Sequence, residues 1–128
     1  MGRMRTPTRT NLYASETMIR DLAKKIVERD QAALVAVQRL ATTVPLVVSE
    51  RQVLSALAKV RDARRDLDRL QFDLLGACVL AGAQVGTISD NTGIKPAVLT
   101  RRLPHTPAAL VGREIVRDVR APYGWTEA

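Results

Sequence analysis

Apolar side chains recur along this chain at helical spacing, and their order divides it into successive helical segments. Ile19, Leu22, Ile26, Ala33, Val37 and Leu40 form one stripe, which predicts an amphipathic helix. Ser15 can cap it, so the helix is expected from Glu16 to Thr42, with Asp21 pairing forward with Lys24 and Lys25 on the solvent side. Between Ala32 and Val37 the pattern is apolar on nearly all sides. That is expected where a helix has more than one neighbour, and a second subunit is expected to pack there.

Thr42-Thr43-Val44-Pro45 breaks the pattern, because proline removes a donor and restricts the residue before it. Ser49 followed by Gln52 is a capping-box signature, and it opens a helix expected from Glu50 to about Ala83. Val53, Ala56, Val60, Ala63, Leu67, Leu70, Leu74, Ala77 and Ala81 fall on its heptad positions. Alanines alternate with larger residues along this seam, which suits close packing against another helix. In a parallel pair Lys59 would oppose Arg64 of the second strand, so an antiparallel hairpin with the first helix is expected, and the short loop requires it. The charge run from Arg61 to Arg69 alternates in sign and reads as a solvated helix face.

The stretch from Gly82 to Leu103 predicts two further short helices. One runs from Val85 to Thr92 with Ile88 inward and Ser89 small enough for close contact. Gly93 supplies the left-handed geometry that ends a helix, and Pro96 suits the first turn of the next. Val98, Leu99 and Leu103 dock that helix, leaving Lys95, Ala97, Thr100 and Arg101 outward.

The order of Ile88-Ser89, Thr92-Gly93-Ile94, Val98-Leu99 and Arg101-Arg102-Leu103 resembles the helix-turn-helix of three-helical DNA-binding domains. Such domains occur at the ends of site-specific recombinases and in small bacterial or phage regulators. Together with the long antiparallel, coiled-coil-like hairpin expected from the periodicity, this resemblance gives an all-α fold in which the hairpin leads into a C-terminal helix-turn-helix. Three parts are expected: a flexible basic arm at 1–14, an oligomerising hairpin at 15–73, and a DNA-binding domain at 74–128. Lys95, Ala97, Thr100 and Arg101 would then approach base edges in the major groove. Thr87, Arg102 and His105 would meet phosphates. Arg3, Arg5 and Arg9 of the arm would follow phosphates or enter a minor groove, or else belong to a solubilising tail.

After Leu103, Pro104 stops the second short helix. Thr106-Pro107 predicts another, running to about Val119, with Leu110, Val111 and Ile115 on one side and Arg113, Arg117 and Arg120 on the other. The tail from Ala121 to Trp125 is expected to be non-helical, with its aromatics tucked against the fold.

Charge sharpens the functional expectation. The net charge of +7 and pI near 10.5 suit a polyanion. Residues 1–14 hold three arginines and no acid, while the long middle of the chain is nearly balanced. The single cysteine, Cys78, excludes an internal disulfide and fits a reducing compartment. No apolar core follows the first arginines as a signal peptide would need, and the apolar run Leu74–Ala83 is too short to span a membrane. Gly2–Thr6 matches only the bare myristoylation pattern.

Little here suggests catalysis. His105 is the only histidine, so no His/Cys metal site can be assembled within one chain. Asp66 and Asp68 face different sides of their helix, and neither a phosphate-cradling glycine loop nor a nucleophile elbow occurs. The expectation is a non-enzymatic, cytoplasmic, nucleoid-associated homodimer that binds double-stranded DNA. It would use no cofactor, metal or small-molecule ligand and regulate transcription in a prokaryote or phage. A phage- or plasmid-encoded protein-docking adaptor and a plasmid-partition or DNA-organising protein are the alternatives.

Overall fold

In a computed structural model, residues 5–42 and 49–128 are described. Four α-helices dominate: α1 (Arg9–Thr42), α2 (Glu50–Leu80), α3 (Val85–Thr92) and α4 (Pro96–Arg102). Two 3-10 turns follow, Leu103–His105 and Pro107–Leu110, and then strands β1 (Ile115–Arg117) and β2 (Trp125–Glu127). The chain divides into two compact units. One combines the residues up to Leu22 with Phe72–Ala128, and the other is Ala23–Gln71. No helix among the described residues is long and apolar enough to cross a membrane.

The Ala23–Gln71 unit is the expected pairing of two long helices. Ser49 opens α2 as its sequence predicts: the Gln52 N–H donates to Ser49 Oγ at 3.2 Å, and the Ser49 N–H donates to Gln52 Oε1 at 2.8 Å. Ala56, Ala63 and Leu70 are buried on the heptad seam. Arg29 of α1 lies 3.4 Å from Asp66 of α2, which in turn meets Arg69 one turn on. Both ion pairs are largely exposed, so each contributes little beyond register.

The other unit is built around Phe72, Val79, Ile88, Leu99 and Leu103, with Leu75, Val85, Ile94 and Val98 packed against them. Removing one such side chain from water is worth about 1.5–3 kcal/mol, so α3 and α4 are held by the last turns of α2. That helix ends at Leu80, slightly before the expected Ala83. Gly82 takes φ +109°, and the Ala83 N–H returns to the Cys78 carbonyl at 2.9 Å.

The start of α1 departs from expectation. Ser15 does not begin the helix; it is buried inside it, and Arg9–Ala14, assigned above to a flexible arm, are helical. Thr8 and Asn11 form the capping box instead, exchanging backbone-to-side-chain bonds of 3.0 Å in each direction. Asparagine in place of the usual glutamate or glutamine hid this start. Arg3 lies outside the described residues.

The predicted C-terminal helix from Pro107 to Val119 does not form. Thr106 caps Pro107 as expected, accepting the Ala108 N–H at 3.2 Å, but only a 3-10 turn follows. Gly112 at φ +74° then turns the chain out of helical geometry, and its N–H is captured by Asn11 Oδ1 at 2.7 Å. Beyond it Ile115–Arg117 pairs antiparallel with Trp125–Glu127, in the register Val116 opposite Thr126.

Candidate nucleic-acid interface

The corner between α3 and α4 is fixed by backbone and side-chain bonds together. Gly93 adopts φ +74° and donates to the Ser89 carbonyl at 2.9 Å. Ser89 Oγ donates across the corner to the Ile94 carbonyl at 2.7 Å. Thr92 Oγ1 donates to Ile88 O at 2.7 Å and accepts the Ile94 N–H at 3.2 Å. Ser89 therefore does more than permit close approach: it ties α3 to the corner that leads into α4. Neither short helix carries a side-chain N-cap, Gln84 and Lys95 occupying those positions.

Helix α4 is two-sided. Leu99 and Leu103 are buried, Val98 is half-buried, and Lys95, Ala97, Thr100 and Arg101 are exposed together. Ala97, Thr100 and Arg101 thus lie on the uncovered side of α4, and exposed Lys95 precedes them as its N-cap. Among the described residues Arg101 and Lys95 have no ion-pair partner. Thr87 is exposed on α3, and His105 is exposed just beyond α4. Arg102 is different from the rest. Its guanidinium lies 3.6 Å from the centre of the Phe72 ring and is half-buried, so cation–π attraction holds it against α2.

The N-terminal arginines are divided. Arg5 and Arg9 are exposed, Arg9 as the first residue of α1, while the aliphatic part of Arg5 lies over Gly112. Near α4 a cleft of about 880 Å³ is lined by Arg5, Val79, Val85, Thr100 and Leu103 among others. Its walls come from several separate segments, so no local pattern announced it. Arg113 also borders this cleft, but its guanidinium is engaged by Glu127 at 3.0 Å.

A β-hairpin stands where a helix was expected, while the aromatics of the tail pack against the fold as the sequence predicts. The hairpin tip, from Asp118 to Gly124, is braced internally: the Asp118 N–H donates to Gly124 O at 3.0 Å, Ala121 N–H to Asp118 O at 3.0 Å, and Gly124 N–H to Ala121 O at 3.1 Å. Asp118 Oδ1 also accepts the Arg120 N–H at 2.9 Å. Tyr123 anchors the tip, its hydroxyl 2.8 Å from Asp73 Oδ1 on α2 and 3.4 Å from the carbonyl of His105. Trp125 is buried, donating from Nε1 to Thr17 Oγ1 at 3.4 Å, and meets Tyr13 edge-on. The clue in the sequence was Ala121-Pro122-Tyr123-Gly124, a turn signal between two short runs rich in β-formers.

Cys78 sits on the inner part of α2. Burial pushes its thiol up from the ordinary cysteine value, which keeps it protonated and weakly nucleophilic. Comparison of the chain with protein-family models, curated proteins and solved structures gave no match in any of the three.

Proposed function

We propose that this chain is a sequence-specific double-stranded DNA-binding protein that works as an oligomer, in the manner of a small prokaryotic or phage transcriptional regulator. In this reading α3 and α4 form a helix-turn-helix, with α4 entering the major groove. The observation that carries it is the state of α4. Lys95, Ala97, Thr100 and Arg101 are uncovered by the rest of the chain, while Leu99 and Leu103 on the opposite side hold the helix to the core.

Arg101 is the sequence reader. An arginine reads guanine through two hydrogen bonds, and a good pair discriminates by about 1–3 kcal/mol. Thr87 and His105 flank it as phosphate contacts, which set register without reading bases. Arg102 joins them with its guanidinium already immobilised on Phe72. One copy of so small a surface binds weakly, so two or more copies on repeated sites make the working form. The exposed Val27, Leu34, Val37, Leu54 and Leu57 of the Ala23–Gln71 unit supply apolar surface for that association.

Selection of bound duplexes from a random pool, run side by side with the intact protein and Arg101→Ala, tests the assignment. The intact protein should recover one motif, and the variant should lose preference at a guanine within it. Equal recovery of the same motif by both proteins would remove Arg101 from the reading position, and no enrichment at all would remove the DNA function.

A further inference from the structure

Val119 is 88% exposed, the most uncovered of the large apolar side chains described. It stands at the tip of the β-hairpin with exposed Arg120 beside it. A lone exposed valine on a mobile loop would call for no explanation. This one sits on a loop cross-braced by the four bonds given above, one of them from the Arg120 N–H to Asp118 Oδ1. The Tyr123 hydroxyl then ties the loop to Asp73 and to the carbonyl of His105. The fold therefore spends several hydrogen bonds to present an apolar group and a cation side by side, next to the segment that follows α4. Among the described residues Arg120 has no ion-pair partner. Asp118, two residues before Arg120, is half-buried, and its Oδ1 accepts the Arg120 N–H.

We infer that this hairpin tip is a second DNA contact: Val119 and Arg120 enter the minor groove beside the major groove occupied by α4. The inference rests on the double-stranded DNA reading above. The minor groove is only ~6 Å wide, which admits a narrow two-residue projection but not a helix. Its enhanced negative potential at A·T-rich, narrowed sites attracts an arginine, and its floor and sugar walls accept a small apolar side chain. The chemistry favoured is therefore A·T-rich duplex flanking the motif read by α4.

Three duplexes test this, sharing the selected motif but flanked by A·T, I·C or G·C pairs. Inosine–cytosine keeps the minor-groove face of A·T while resembling G·C in the major groove. Binding of the full chain is measured by fluorescence anisotropy at several salt concentrations. The intact protein should bind the A·T and I·C flanks alike and the G·C flank more weakly. Arg120→Ala should lose about tenfold in affinity, lower the salt slope by about one, and abolish the flank preference. Val119→Ser should lose part of the same preference with the salt slope unchanged.

An Arg120→Ala protein that binds all three duplexes as the intact one does would overturn the hairpin contact and leave the α4 reading standing. A loss of affinity with no flank preference in the intact protein would reduce Arg120 to a phosphate contact and overturn the minor-groove assignment. Failure of the intact protein to bind any of the duplexes would sink the α4 reading and this one together.

Discussion

Asn11 is fully buried, and its amide serves two parts of the chain that lie far apart in sequence. Oδ1 accepts from the Thr8 N–H at 3.0 Å and from the Gly112 N–H at 2.7 Å, while Nδ2 donates to the Arg113 carbonyl at 3.1 Å. One side chain thus starts α1 and pins the bend that leads into β1. Truncating it leaves two donors and one acceptor without their partner at part-buried positions, where each lost bond costs about 1 kcal/mol. Asn11→Ala should therefore lower unfolding stability by about 2–3 kcal/mol in urea titrations. Thr8→Ala removes only the cap and should cost about 1 kcal/mol. Equal losses in the two variants would mean that Asn11 is a capping residue and nothing more.

At the scale of elements, the reading from sequence succeeded where a periodic pattern and its local stop signal agreed. Gly93 lies between two short apolar patterns, and α3, the corner and α4 follow at the expected positions. Ser49 and Gln52 opened α2 for the same reason. It failed where the deciding bond joined residues far apart. Thr106-Pro107 is a sound helix start, but Asn11 captures the Gly112 N–H from across the fold, and the arginines assigned to a helix face lie instead in and around a hairpin. The face of α4 was legible because its period separates Leu99 from Arg101; the hairpin tip was not, since no period links Val119 to Tyr123 and Asp73.

Gly76 shows the same limit. In a helix interior glycine is about 1 kcal/mol worse than alanine, so sequence alone favours Gly76→Ala. A Cβ there would fall within 2.6 Å of the Thr106 Cβ and 3.2 Å of the Ala108 nitrogen. Thr106 is itself buried and bonded to the Leu103 carbonyl at 2.6 Å, so it has little room to yield. Overpacking of this kind costs about 1–3 kcal/mol and should outweigh the propensity gain. The expected outcome is a lower thermal midpoint for Gly76→Ala; a raised midpoint would show that the turn after α4 moves freely away from α2.

Net charge looks different for the whole molecule once it is sorted by compact unit instead of by sequence segment. The unit holding α3, α4 and the hairpin carries ten basic and seven acidic side chains, and the Ala23–Gln71 unit ten against six. Basicity therefore does not distinguish the unit proposed to read DNA from the other, and the proposal rests on the exposed face of α4. The second unit instead combines a positive charge with exposed Val27, Leu34, Val35, Val37, Leu54 and Leu57. Apolar burial between copies is insensitive to screening, but the positive charge that each copy carries on this unit opposes it and is screened by salt. The proposed association should accordingly tighten as salt rises, whereas DNA binding, driven by counterion release, should weaken. Sedimentation equilibrium at low and high salt reads the first slope and anisotropy the second. Leu34→Glu combined with Leu54→Glu should shift the protein to monomer at both salts, while Arg101→Ala leaves the mass unchanged. If the double variant sediments as the intact protein does, the apolar surface of this unit is not where the copies meet.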